Sequence, residues 1–185
     1  IHSGDREFGV PDEYPLEASG TRIDENGKKY IRVKGVRWYT NIDHGHRHSA
    51  KDFMTMADNI KFSKHKEVQG RPYLHFDNFD AIEVPYSDAI PCDYEGMMGV
   101  PISFLDKYCP EQFEIMGITQ SWFGMASKIY PKQIQVGKNG KKTVVTKLND
   151  GAAIELPGPD DGEVYYIVDG HYYTKAYARI LIRKK

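Results

Sequence analysis
The chain has 185 residues and a formal net charge of −1, with 40% hydrophobic and 28% charged residues. This balance describes a soluble globular chain, one ordinary domain or part of a core plus a smaller domain, and excludes disordered and fibrous classes. No apolar run approaches the roughly 20 residues a bilayer span needs. The two cysteines, Cys92 and Cys109, fall in no zinc-binding spacing and cannot frame a disulfide-rich fold, so the cytoplasm is the expected compartment.

The charge is segregated. From Asp77 to Glu114 nine acids stand against one base, Lys107, whereas Ile115 to Asn149 holds six lysines and no acid. The tail from Lys175 to Lys185 adds five bases without an acid. Segregation of this kind can build a basic face on a neutral protein, the footprint expected for a nucleic-acid duplex, or it can describe solvated loops.

Residues Ile1 to Ser19 mix charge with Gly and Pro without periodicity and read as an irregular lead-in. Asn26-Gly27 supplies the two positive-φ positions of a tight type I′ turn between Thr21 to Asp24 and Lys28 to Lys34. In the second strand Ile31 and Val33 share one face, and Lys28, Tyr30, Arg32 and Lys34 share the other, a cationic face suited to phosphate or to plain solvent. Gly35 is expected to break or bulge this strand before Val36 to Ile42, where Trp38 reads as core and Arg37, Tyr39 and Asn41 point the other way.

His44-Gly-His46-Arg-His48 has metal-ligand residue types, but no nearby Cys or carboxylate completes a tetrahedral site. A loop that brings Arg47 to phosphate is the better functional reading, beside a plain surface loop. Ser49 and Asp52 form a capping-box pattern that predicts a helix with Phe53, Met56, Ala57 and Ile60 as its apolar stripe. Lys61, Lys64, His65 and Lys66 complement the negative end of its dipole.

Asp80 to Val84 reads as a short strand, Tyr86 to Gly99 as a turn-rich loop, and Ile102 to Tyr108 as a short helix that Pro101 opens and Pro110 ends. Phe113 to Ile118 reads as a strand whose Glu114 needs a basic partner. Thr119 to Tyr130 is predicted to be a second full helix, with Trp122, Phe123, Ala126, Ile129 and Tyr130 on its apolar side and Pro131 as its stop. Asn139-Gly140 predicts a hairpin between Ile134 to Val136 and Thr143 to Thr146, with Lys138, Lys141 and Lys142 crowding its tip. Those lysines can straddle phosphates or keep an edge strand soluble. Asp169-Gly170 predicts a last hairpin between Val164 to Val168 and Tyr172 to Ile182.

Three blocks stand in an order that covers nearly the whole chain: GVRWYTNID at Gly35 to Asp43, FDNFDAIEVPYSDAIPCDYEGMMGVPISFLDKYCPEQFEIMGI at Phe76 to Ile118, and YARILIRKK at Tyr177 to Lys185. Together they resemble the C-terminal half of the EcoRI-type adenine-specific DNA methyltransferases. The family's Asn-Pro-Pro-aromatic catalytic motif and Gly-rich cofactor loop are absent from these residues. Pro11-Asp-Glu-Tyr and Asp77-Asn-Phe lack the paired prolines, so no catalytic, cofactor or metal role is placed on this chain.

The resemblance implies an α+β, strand-rich mixed fold. Residues 1–44 would complete a Rossmann-like methyltransferase sheet whose first part is absent from this chain, and residues 45–185 would form a target-recognition region. It further implies transfer to adenine N6 from S-adenosylmethionine bound mainly elsewhere, double-stranded DNA as partner, and a cognate restriction endonuclease in the same system. The candidate DNA-binding residues are Arg32, Lys34, Arg37, Tyr39, Asn41, Arg47, Lys138, Lys141 and Lys142. Two alternatives stand beside this reading: a non-catalytic specificity module working with a separate catalytic subunit, and a zinc hydrolase built on the histidine cluster.

Overall fold
The computed structural model describes residues 2–16, 20–38, 40–160 and 162–185. It is strand-rich, with one short α-helix and three separate sheets. The chain divides into two compact units, residues 1–43 and residues 44–185.

The first unit is an antiparallel sheet of β1 (His2–Gly9), β2 (Thr21–Ile23) and β3 (Lys29–Trp38), in the order β1-β3-β2. β1 lies where the sequence shows no periodicity, because it takes its conformation from pairing with β3. The turn after β2 is not the type I′ turn expected: Gly27 has positive φ and Asn26 does not. Asp24 replaces the missing conformation chemically, its carboxylate accepting from the N–H groups of Asn26 and Lys28. Gly35, at φ 66°, bulges β3 where the register shifts opposite Gly4 and Arg6. Among the described residues of this unit none is buried, and Phe8, Ile23 and Val33 are exposed.

The second unit holds α1 (Met56–Phe62) and nine strands: β4 (Ala81–Glu83), β5 (Met97–Val100), β6 (Phe113–Ile118), β7 (Gln133–Val136), β8 (Lys142–Val145), β9 (Ala153–Leu156), β10 (Tyr165–Val168), β11 (His171–Lys175) and β12 (Ile180–Lys184). They form a four-stranded sheet, β4-β5-β12-β6, and a five-stranded antiparallel sheet, β8-β7-β10-β11-β9. Ile82, Val84, Met98, Val100, Phe104, Phe113 and Ile182 make the core of the first sheet. Tyr130, Leu148, Tyr166, Val168 and Tyr173 make that of the second. A third cluster joins them, with Ala81 and Leu181 from one sheet, Ala152 and Ile154 from the other side, and Phe76 and Phe79 between.

Four expectations change here. Ser49 only closes a 3-10 turn, Gly45–His48; the α-helix starts later, where Thr55 accepts from the Asp58 N–H at 3.1 Å and donates to its carboxylate at 2.8 Å. The loop predicted from Tyr86 to Gly99 ends in strand β5, which runs parallel to β4. The helix predicted from Thr119 to Tyr130 is reduced to a 3-10 turn, Ser121–Phe123, because Gly124 adopts φ 81°. The long final strand is split into β11 and β12, which belong to different sheets.

The segment Phe76 to Asp80 joins the two sheets. Asn78 is fully buried; its carboxamide donates to the Gly151 carbonyl at 2.9 Å and accepts from the Ala153 N–H at 2.8 Å. Asp77 N–H donates to the Ala153 carbonyl, and the Asn78 carbonyl accepts from Ser127 N–H. Close by, Arg179 clasps the buried Glu83 with contacts of 2.6 to 3.2 Å. Burial raises the Glu83 pKa, and the arginine opposes that rise without cancelling it.

Asn78→Ala orphans two buried backbone groups at about 1–3 kcal/mol each, so a loss of about 2–5 kcal/mol is expected in urea denaturation. Arg179→Met leaves a buried carboxylate alone and is expected to cost about 3–5 kcal/mol. The double variant with Glu83→Leu should recover most of that loss.

Candidate nucleic-acid interface
On β3 the cationic ladder is cross-paired by its neighbours. Arg32 meets Asp5 at 2.5 Å, and Arg22 forks onto Glu7 while stacking 4.4 Å over the Tyr30 ring. The hydrogen bond from Arg32, and after it one from Gly35 N–H, holds the Asp5 carboxyl below its usual range. Lys34 is exposed and makes no ion pair among the described residues. Arg37 pairs through its backbone with Ser3, but its side chain, the Trp38 side chain and all of Tyr39 lie outside the described residues. Asn41 is exposed in the chain that follows.

The β7–β8 hairpin is the clearest cationic projection of the second unit. Gly137 N–H donates to the Lys141 carbonyl and Gly140 N–H to the Gly137 carbonyl, while the Asn139 carboxamide caps the turn by accepting from Lys141 N–H. This rigid turn brings Lys138, Lys141 and Lys142 together. Lys138 meets Glu163 at 2.8 Å, a solvent-exposed pair worth at most about 1 kcal/mol and readily exchanged. Lys141 and Lys142 have no ion pair among the described residues, and β8 is the edge strand of its sheet.

Arg47 sits elsewhere in the same unit, its guanidinium 5.4 Å from the centroid of the Tyr108 ring. Its neighbour His48 contacts Glu111 at 2.6 Å, and the Cys109 thiol donates to the other oxygen at 3.0 Å. The thiol first and the imidazole second draw the Glu111 pKa down to about 2. His44 and His46 meet edge to face at 6.4 Å. Among the described residues no three His, Cys, Asp or Glu side chains converge to hold a metal ion, so the zinc reading of this cluster has no geometric basis here.

Sequence reasoning missed two features. Trp122, expected on the buried face of a helix, is 71% exposed at the tip of a loop. Gly124, two residues on, was the signal that a helix would not hold. The setting of Glu114 was the other: it is exposed, although the basic partner expected for it is there, Arg183, directly opposite on β12 at 3.2 Å.

The family model described as "Adenine-specific methyltransferase EcoRI" matches residues 1–185. Type II methyltransferase M.MgeORF184P of Mycoplasma genitalium is 34% identical over 180 residues, 96% of this chain and 46% of that protein. Type II methyltransferase M.EcoRI of Escherichia coli is 40% identical over 109 residues, 59% of this chain and 31% of its own length. M.MpnI of Mycoplasma pneumoniae, also named a Type II methyltransferase, is 31% identical over 94 residues, 51% of this chain and 27% of that protein. The chain therefore spans less than half of the curated relatives it matches. No solved structure matches it.

The basic run after α1 is satisfied inside the molecule: Lys64 and His65 both reach Asp88 at 2.9 Å, and His65 stacks on Tyr86 with centroids 3.6 Å apart. Burial works to raise the Asp88 pKa, but hydrogen bonds from Lys64 and His65 outweigh it and hold the value at about 2. A carboxylate depressed in the folded state stabilises the protein above its ordinary pKa, and that stabilisation is lost as pH falls through the folded value. A loss on the order of 1 kcal/mol, discounted for screening, is expected between about pH 4 and pH 2. Thermal unfolding across that range should show a flatter acid limb in Asp88→Asn.

Proposed function
The chain belongs to the EcoRI-type adenine-specific methyltransferases, and we propose that within such an enzyme it grips and orients the target DNA duplex. The reaction served is methyl transfer to adenine N6 from S-adenosylmethionine in a restriction–modification system, with a cognate endonuclease as functional counterpart. Residues 1–44 would complete the Rossmann-like catalytic sheet and residues 45–185 would form the target-recognition region. The observation that carries this reading is the family match along all 185 residues together with a lysine-tipped hairpin on a sheet edge.

The residues present do not fit an S-adenosylmethionine site. α1 is entered from a loop capped by Thr55 and not from a strand, and the one parallel strand pair among the described residues, β4–β5, is joined by a loop. Among the described residues no Gly-rich turn leads from a strand into a helix N-terminus, the arrangement that binds such cofactors. No step of the transfer is assigned to these side chains.

Arg32, Lys34, Arg37 and Arg47 would supply charge to phosphates, and Tyr39 and Asn41 are the further candidate contacts. Lys138, Lys141 and Lys142 act as one device at the hairpin tip. Phosphate contacts of this kind set affinity and orientation without reading sequence. The non-catalytic module working with a separate catalytic subunit remains the second reading; an Asn-Pro-Pro-aromatic motif upstream in the same reading frame would favour the enzyme.

Lys138→Glu/Lys141→Glu/Lys142→Glu in the complete enzyme is expected to weaken duplex binding tenfold or more. The plot of log K against log salt should flatten by about 0.9 for each phosphate that the variant no longer neutralises. An unchanged affinity and slope would remove the hairpin from the interface. Residues 1–185 alone are expected to bind duplex and to form no N6-methyladenine, and a methylated product would place catalysis inside this chain.

A further inference from the structure
The loop between β6 and β7 is moored at both ends. At its start Thr119 is buried; its N–H donates to the Arg179 carbonyl at 2.9 Å and its hydroxyl accepts from Arg179 N–H at 2.8 Å. At its far end Ser127 N–H donates to the Asn78 carbonyl at 3.0 Å, and Lys128 meets Asp77 at 2.6 Å. Between these moorings the two aromatics of the 3-10 turn diverge. Phe123 lies over Gly117, where an added Cβ would stand 2.8 Å from its ring. Trp122 points to solvent, its indole edge to face with Phe123 at 5.9 Å and its Nε1–H donating to the Gln120 side chain.

Cations flank this tip. The turn that carries Trp122 rests against the turn Lys147–Asp150, and the Lys175 ammonium donates to the Lys147 carbonyl at 3.2 Å. Neither lysine makes an ion pair among the described residues; Asp150 is the acid of that turn.

We propose that Trp122 is a wedge that stacks into the duplex beside the target adenine and fills the gap left when that base is extruded. The inference rests on the DNA-gripping reading above. Adenine N6 lies inside the base stack, and an enzyme that acts on it must take the base out, at the cost of unstacking and unpairing. An inserted apolar side chain lowers that cost by replacing the broken stacking, and an aromatic ring does so on any sequence. A tryptophan held in water forgoes its large burial until it meets a flat apolar surface, which a base step provides. Mooring at both ends means that insertion orders little additional chain, so the contact is not spent on loop entropy. Lys147, on the turn packed against that of Trp122, and Lys175, which bonds to the Lys147 carbonyl, supply positive charge near the loop.

The test uses the complete methyltransferase and duplexes with 2-aminopurine at the target position, whose fluorescence rises on extrusion. Trp122→Ala is expected to lower both the fluorescence rise and the affinity about tenfold, the scale of one base–aromatic stack. On a duplex abasic at the target position, where the gap stands open without extrusion, the affinity loss should stay about tenfold, because the stack that Trp122 makes in the gap is lost either way. Trp122→Phe should keep most of the wild-type response, which also controls for folding. Wild-type behaviour of Trp122→Ala on both duplexes would overturn the wedge. So would a loss of affinity with an unchanged fluorescence rise at saturating enzyme, which would make Trp122 an ordinary contact, and so would normal DNA behaviour with loss of a protein partner. A wild-type enzyme that binds no duplex would instead sink the DNA-gripping reading on which the wedge depends.

Discussion

The buried carboxamide of Asn78 is the contact on which the architecture of residues 44–185 depends. An amide can donate and accept at once, and here it does both against the backbone that leads into β9, while its own backbone carbonyl receives Ser127 N–H. A carboxylate or hydroxyl of similar size matches only part of that pattern. Beside it the Phe76 ring fills the space that a side chain at Gly99 would need, so the segment is locked to β5 as well as to β9. Polar satisfaction and apolar packing thus coincide in five residues, and both sheets take their relative position from them. The same segment moors the loop that presents Trp122, so the stability of the core and the aim of an exposed aromatic share one cause.

Part of the segregated charge of the sequence is paired within the fold. Acids of the stretch from Asp77 to Glu114 meet bases of the later segments: Asp77 with Lys128, Glu83 with Arg179, Glu114 with Arg183. Antiparallel pairing of β12 with β6 places Arg183 directly opposite Glu114, so sheet register and charge pattern support each other. The Arg179–Glu83 pair is the costly member of the set, since burial disfavours the carboxylate even with its partner in place. The lysines outside this compensation among the described residues include Lys141 and Lys142 on the hairpin and Lys147 and Lys175. A near-neutral protein attracts a polyanion through such local excess and not through its net charge.

Where a local signal fixes the backbone, the sequence was legible. Asn139-Gly140 and Asp169-Gly170 marked the β7–β8 and β10–β11 hairpins, and the second takes both positive-φ positions, Asp169 at 49° and Gly170 at 86°. β4 and β6 announced themselves through β-branched residues and bounding prolines. β5 did not: two methionines and a glycine are poor strand formers, and the strand exists because β4 and β12 pair with it from either side. The apolar period from Trp122 to Tyr130 suggested a helix, yet Tyr130 is buried for a different reason. Its hydroxyl donates to Asp77 at 2.5 Å, and burial first, with that hydrogen bond second, raises its pKa far above the usual phenol range. Hydrogen bonds between residues 53 apart in sequence override a local helical pattern, and no window of residues shows them. Of the candidate site, the lysine hairpin was readable from its turn; the moored tryptophan was not.

The two units differ in what holds them. Residues 44–185 own three apolar clusters. The described residues of 1–43 own none, and their cross-strand ion pairs, Arg22–Glu7 and Arg32–Asp5, are exposed contacts that contribute little. Three strands become independently stable when a hydrophobic face is packed against something. Phe8 and Val33 form the start of such a face and lie exposed. The geometry of β3, and with it the aim of Arg32 and Lys34, is therefore conditional on a covering layer, whereas the β7–β8 hairpin and the Trp122 loop are aimed by a core already complete. On the duplex-gripping reading proposed above, that difference would assign the rigid part of the grip to the second unit, whose cores are complete.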